Sequence, residues 1–147
     1  MKIHIALALL VSTSIAMAGP LAVEPEWMPM YGATNSTSKL YVDQKTRSTV
    51  ISPSQETINA VTILVVPATP ITIMVQGDPV VTQSLASRIV VNCTTHLLVP
   101  IVDIYYSVSM PALKDEPVAM KMYSVSRSAM HLPRSSPIYS IACPEYI

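Results

Sequence analysis

Two cysteines carry the plainest chemistry in this chain. Cys93 closes the run Leu85-Ala-Ser-Arg-Ile-Val-Val-Asn-Cys93, and Cys143 closes Ser140-Ile-Ala-Cys143. An exported chain with only these two thiols can oxidise them to a single bridge. Closing so long a loop is worth about 4 kcal/mol in the chain-entropy account. No Cys-x-x-Cys marks a redox centre, and the scattered His4, His96 and His131 do not supply a metal-ligand spacing. Ser84, His96 and Asp103 can be written down as nucleophile, base and orienting acid, but no nucleophile-elbow motif frames any serine. Asp43, Asp78 and Asp103 fall in separate segments without calcium-loop spacing. The expectation is a protein with no catalytic activity, no metal and no cofactor.

Tyrosine is the remaining candidate. There are seven, and no phenylalanine. A tyrosine combines apolar contact area with a polar tip, which suits an interface as well as a half-buried sheet position. Tyr105 and Tyr106 are adjacent, so in a strand they point to opposite faces and at least one belongs to the core. The candidate binding surface comprises Tyr41 on the outward face of its strand, one member of the Tyr105-Tyr106 pair, and residues of the Pro67 to Gln83 stretch. Core packing is the competing account of the same tyrosines.

The elements that must position these residues read as strands. In Leu85 to Cys93, Ile89, Val91 and Cys93 share one face of a two-residue period, with Arg88, Val90 and Asn92 on the other. Ser38-Lys-Leu-Tyr-Val-Asp43 places Leu40 and Val42 opposite Lys39, Tyr41 and Asp43. Gln44-Lys-Thr is then expected to turn the chain so that Arg47 to Ser52 pairs back as a hairpin. Glu56 to Val66 becomes apolar on both faces, as a central covered strand does. Pro67, Pro70, Gly77 and Pro79 bracket Ile71 to Val75, and this punctuation favours a long irregular excursion over a short edge strand. Leu97 to Val108 is extended, with Pro100 at a bulge, edge or break. Val118 to Val125 alternates as a strand, and a short helix over Ala119 to Met130 competes with that reading. Ser135-Ser-Pro137 turns the chain into a closing strand, Ile138 to Cys143. The fold class is mainly β: a single curved antiparallel sheet or partly closed barrel, with at most one or two short helices, closed by the disulfide.

Before these strands, residues 1–18 have the layout of a signal peptide: Lys2, an apolar run, then Ala16-Met17-Ala18 ahead of Gly19-Pro20. Cleavage after Ala18 leaves no cysteine near the new terminus to accept a lipid. Residues 19–37 form a Pro-containing lead in which Pro20, Pro25 and Pro29 interrupt regular pairing and Trp27 tucks over an open side of the core. Residues 38–147 form the β domain. Basic and acidic residues number nine each, and the loss of Lys2 tips the mature chain slightly acidic. A phosphate-backbone surface needs a positive excess, so nucleic acid is not expected as a partner, nor is transmembrane insertion.

Taken in order, Trp27, Tyr41-Val-Asp43, the strands through Val50 and Val66, Ser84 to Cys93, Tyr105-Tyr106, Pro133 to Ser136 and Cys143 resemble the surface-adhesin protein E-like family of small exported bacterial proteins. The resemblance covers most of the mature chain. It implies a curved, disulfide-closed antiparallel sheet and, for the adhesin that gives the family its name, binding of host matrix proteins at the bacterial surface. This chain departs from the pattern in lacking a lipidation cysteine and in carrying the Pro67 to Gln83 stretch. The expected function is an exported envelope protein, periplasmic or secreted, that binds a protein of the envelope or extracellular matrix or plays a structural role there. Homo-oligomerisation is compatible with that function. The alternative is a periplasmic enzyme inhibitor or accessory subunit of the lysozyme-inhibitor type.

Overall fold

The computed structural model describes residues 21, 23–30, 37–124 and 128–146. The expected signal peptide and cleavage point fall outside the described residues, as does Tyr31. The strands in chain order are β1 (Trp27–Pro29), β2 (Ser38–Asp43), β3 (Ser48–Ile51), β4 (Thr57–Pro67), β5 (Ile71–Val75), β6 (Asp78–Thr82), β7 (Ser84–Asn92), β8 (Leu97–Tyr106), β9 (Ala119–Met122) and β10 (Met130–His131). A helix, α1 (Pro137–Ala142), and a 3-10 turn at Pro144–Tyr146 close the described chain. All strands but β5 and β6 join one antiparallel sheet whose main path runs β1-β2-β4-β7-β8-β10.

β4 is the middle of this sheet, as its two apolar faces require. One edge pairs with β7 from Ile58↔Asn92 to Val65↔Leu85. The other edge takes β2 from Ser38↔Pro67 to Val42↔Ile63, then β3 from Ser48↔Ala60 to Ile51↔Thr57. β2 and β3 are therefore successive halves of one interrupted edge and not the expected hairpin. At the interruption the buried Asp43 carboxylate accepts from Lys45 N at 3.1 Å, Thr46 Oγ1 at 2.9 Å and Glu26 N at 2.9 Å. These bonds fold Gln44-Lys-Thr out of the edge without reversing the chain. The reversal comes at Ser52 to Glu56, where Gln55 takes a φ of 64° and Ser52 N donates to Glu56 O.

The Pro-containing lead also pairs, contrary to expectation. β1 lies on β2 from Trp27↔Asp43 to Pro29↔Tyr41, on the sheet's margin where a proline removes no needed donor. At the opposite side the β7–β8 ladder shifts register between Arg88 and Ile89, so that Ile101, beside Pro100, has no opposite residue in β7. The proline thus sits at a bulge, as its missing N–H favours. The far edge of β8 is shared by β9, opposite Val102 to Tyr105, and β10, opposite Leu97 and Leu98. Residues 119–122 accordingly follow the strand reading, and the helix over Ala119 to Met130 is not formed there; an open β8 edge outweighs the helix propensity of Met, Ala and Lys.

A single sheet buried on both faces needs two covers. On one face Ile58, Ala60, Leu64, Ala86, Val90, Ile104 and Tyr106 pack beneath Leu21 and Trp27. Trp27 Nε1 donates to Pro111 O at 2.9 Å, so a residue of β1 reaches the segment leaving β8 across the curved sheet. On the other face Val61, Ile63, Ile89, Val91, Cys93 and Leu98 pack beneath Leu132 and α1. Cys143 reaches Cys93 in a disulfide with Cα atoms 5.7 Å apart.

The last element is a helix where a strand was expected. Both edges of β7 are taken, by β4 and β8, so no ladder position is left for Cys143 beside Cys93. The chain instead crosses the face, and a helix puts Tyr139, Ala142 and Cys143 on one buried side. Ser136 caps its start by accepting from Ile138 N at 3.2 Å, with Pro137 in the first turn. Polar contacts fasten it further: Asn59 Nδ2 and Arg47 Nη2 donate to Ala142 O, Tyr139 OH to Cys93 O, and Tyr146 OH to Thr57 Oγ1. The Cys93→Ala/Cys143→Ala double variant should lose about 2–5 kcal/mol of stability by chemical denaturation. A midpoint unchanged from that of wild type would mean the polar contacts hold the helix without the bridge.

Candidate interaction surface

The paper triad does not assemble. Ser84 is buried with its Oγ donating to Val108 O at 2.6 Å. Asp103 lies opposite Ser87 instead, while His96 precedes β8 and packs its ring edge against Tyr139 at 5.1 Å. Its Nε2 accepts from Arg134 Nε at 3.3 Å. Among the described residues no group of three His, Cys, Asp or Glu side chains is placed to hold a metal ion.

The proposed tyrosines separate by face. Tyr106 is 0% exposed within the core, where burial, with the Asp115 charge adding to it, pushes its phenol up. Tyr41 lies opposite Leu64 and packs half-buried on that same face beside Trp27. The face expected to be outward is thus covered by the lead. Tyr105 points the other way, opposite Leu85, and the sheet stands between it and Tyr41.

Around Tyr105 the face carries a polar group that sequence reasoning did not assemble. The Asp103 carboxylate accepts from Ser87 Oγ at 2.7 Å and from Tyr123 OH at 2.6 Å. Lys121, paired with Asp103, holds its Nζ 4.8 Å from the centre of the Tyr123 ring. The hydrogen bond to Asp103, then burial and the carboxylate charge, pushes the Tyr123 phenol up to about 12. Burial first, and Asp103 second, raises Tyr105.

The Pro67 to Gln83 stretch, expected to be irregular, is an ordered hairpin. β5 and β6 pair from Ile71↔Thr82 to Val75↔Asp78, leaving Gln76 and Gly77 as a two-residue loop. Their φ values of 50° and 88° fit a type I′ turn, for which glycine at the second position is well suited. Gln76-Gly77 between two extended apolar runs was the signal for it; the flanking prolines masked that signal. The hairpin forms a sheet of its own. Met74 is 67% exposed, Val81 56% and Ile71 52%. Its only charged residue is Asp78. At its root Gln83 N donates to Tyr106 O at 2.8 Å, and Ala68 N donates to Thr37 O. The arm therefore leaves the sheet at the end where Tyr105 lies, two residues along from Leu85 across the ladder.

No protein-family model matches this sequence, and no curated protein matches it. Similar solved structures exist. Crystal form II of Haemophilus influenzae protein E superposes with a TM-score of 0.53 at 17% identity, over 88% of this chain and 98% of that one. The selenomethionine form of protein E from the same organism gives 0.51 at 15% identity, over 79% and 81%. The fold is protein E-like, in agreement with the resemblance seen in the sequence.

Tyr123 supplies a test of the polar group. Its folded pKa lies above the ordinary value of 10.0, so the stability it contributes is intact below pH 10 and is lost as pH rises through about 12. Tyr123→Phe should cost about 1 kcal/mol at neutral pH and flatten the alkaline part of the stability profile. Wild-type and variant profiles of the same shape above pH 10 would contradict the Tyr123–Asp103 bond.

Proposed function

We propose that this protein is an exported bacterial envelope protein that works by binding another protein, in the manner of an adhesin, and that it makes contact through the Ile71–Thr82 arm with Tyr105 at its root. The arm carries this reading. It is an ordered two-stranded ribbon with apolar side chains in solvent and one charge, on a scaffold that does not need it for core packing. Exposed apolar groups gathered on one projecting element mark an interaction site, whereas scattered ones do not. A two-stranded hairpin alone is marginally stable in water, so a partner's surface would also steady it.

The disulfide fits a location outside the cytoplasm, and among the described residues no helix is long and apolar enough to cross a membrane. Tyr105 adds an aromatic anchor with a polar tip beside Ser87 and Asp103. The protein E-like fold supports an envelope role without naming the partner. An enzyme-inhibitor role would use the same arm against a cleft, and partner identity separates the two.

The test is capture of proteins from bacterial envelope extract and from extracellular matrix on immobilised mature protein, with Met74→Asp/Val81→Asp as the comparison. The variant should keep the wild-type circular dichroism and melting temperature, because neither side chain belongs to the core. The captured protein's dissociation constant should rise at least about tenfold. Equal capture by both proteins would remove the arm as the contact element.

A further inference from the structure

Past the expected cleavage point the chain holds two histidines, His96 and His131, and the fold brings these distant residues together. Their ring centres lie 6.3 Å apart, with the ring planes inclined at 54°. The turn between β7 and β8 sets the first. There Asn92 Oδ1 accepts from Thr94 N and Thr95 N, each at 3.0 Å, and Asn92 O accepts from His96 N at 2.8 Å. His96 closes the turn at a φ of 60°, a conformation that glycine adopts more readily than a residue with a side chain. Its ring meets Tyr139 of α1 edge-on, so the imidazole is held between the turn and the C-terminal cover. β10 sets the second: His131 pairs with Leu97, and Leu132 N donates to His96 O at 2.8 Å. His131 is exposed, so its ring has room to turn. Arg134, also exposed, donates from Nε to His96 Nε2 at 3.3 Å, which marks that nitrogen as the one presenting a lone pair.

We propose that His96 and His131 chelate a divalent transition-metal ion, with copper(II) held most tightly. Imidazole suits copper, nickel and zinc, and copper(II) heads the affinity order for such ligands. With about 2.0–2.1 Å from metal to each nitrogen, one ion between two imidazoles sets their ring centres roughly 6 Å apart when the nitrogens are trans. A cis pair brings the rings closer, and the exposed His131 supplies that movement. Among the described residues no carboxylate or thiolate joins the two rings as a third ligand, so water completes the shell. Magnesium and calcium, which take oxygen ligands, are poorly suited to the site. Arg134 is its competitor: the guanidinium must leave His96 Nε2 before an ion takes its place, and its charge opposes the ion. A bound ion would join the two-residue β10 to the turn ahead of β8. The pair lies at the start of β8 and Tyr105 near its end, so the metal site is separate from the arm and does not depend on it.

The test titrates the mature protein, carrying no histidine tag, with copper(II) chloride by calorimetry and examines the bound ion by electron paramagnetic resonance. Wild type should bind a single ion whose spectrum shows nitrogen couplings from both imidazoles. His131→Gln should raise the dissociation constant at least about tenfold, a loss that even an outer-shell partner of a metal brings. It should leave one imidazole coupling and the wild-type circular dichroism, because the side chain is exposed. His96→Asn, which keeps a residue tolerant of positive φ, should weaken binding likewise. Arg134→Ala should bind more tightly than wild type, because the competing guanidinium is gone; a ring held only for packing against Tyr139 would give no such gain. Zinc(II) should displace copper(II) at high excess, and magnesium should not. Wild-type binding no tighter than that of the His96→Asn/His131→Gln double variant overturns the proposal. So does a spectrum with fewer than two imidazoles, a His131→Gln protein that binds like wild type, or an Arg134→Ala protein that binds more weakly.

Discussion

The burial of β4 on both faces is the constraint from which the remaining structure follows. A strand buried that way inside a single sheet must be covered twice, by whatever chain is left over. The N-terminal segment with Leu21 and Trp27 covers one face. The C-terminal segment with Tyr139, Ala142 and Cys143 covers the other. Val61, Ile63, Ile89, Val91 and Leu98 lie under the second cover. Exposing five such side chains would forfeit on the order of 10 kcal/mol, comparable to the whole stability of a domain. A six-residue helix does not hold itself together in water. The disulfide and the hydrogen bonds that Asn59 of β4 and Arg47, just ahead of β3, donate to Ala142 O are what keep it in place.

Alternation made the centre of the sheet legible in the sequence. The facing of Ile89, Val91 and Cys93 against Arg88 and Val90 is a local property of backbone geometry, and β7 follows it. Pro100 was expected at a bulge, an edge or a break because its missing donor restricts it wherever the ladder runs, and of these it takes the bulge. Partnering was less legible. Ser38 to Ser52 looks the same in sequence whether it folds as a hairpin or runs along one edge of β4, because the outcome turns on Asp43 accepting from Lys45 and Thr46. The closing element was read as a strand from a short apolar run. Helix-cap chemistry is absent from such a count, yet Ser136 followed by Pro137 was a helix-start signal.

The placement of the candidate surface residues was half legible. Tyr105 and Tyr106 had to diverge, and they do, with Tyr106 in the core and Tyr105 on the opposite face. Tyr41 was misassigned to solvent because the lead that covers it was taken as unpaired. The excursion, part of the candidate surface, was taken as irregular; pairing about the Gln76-Gly77 loop makes it an ordered two-stranded ribbon. The molecule thus divides its labour between a frame, stapled and covered on both sides, and an arm rooted at one end of that frame. The arm has little to gain from the frame's core and much apolar surface to offer outside it.

That division is tested most directly by native-state hydrogen exchange on the protein. Amides of Val61 and Ile63 in β4, and of Val90 in β7, should exchange only with global unfolding. The bonded arm amides of Ile73, Val75 and Val80 should exchange through a separate opening at distinctly lower free energy, unaffected by small changes in global stability. Arm amides that exchange with the same free energy as those of β4 would contradict the account, because the arm would then be part of the frame and not an element held out from it.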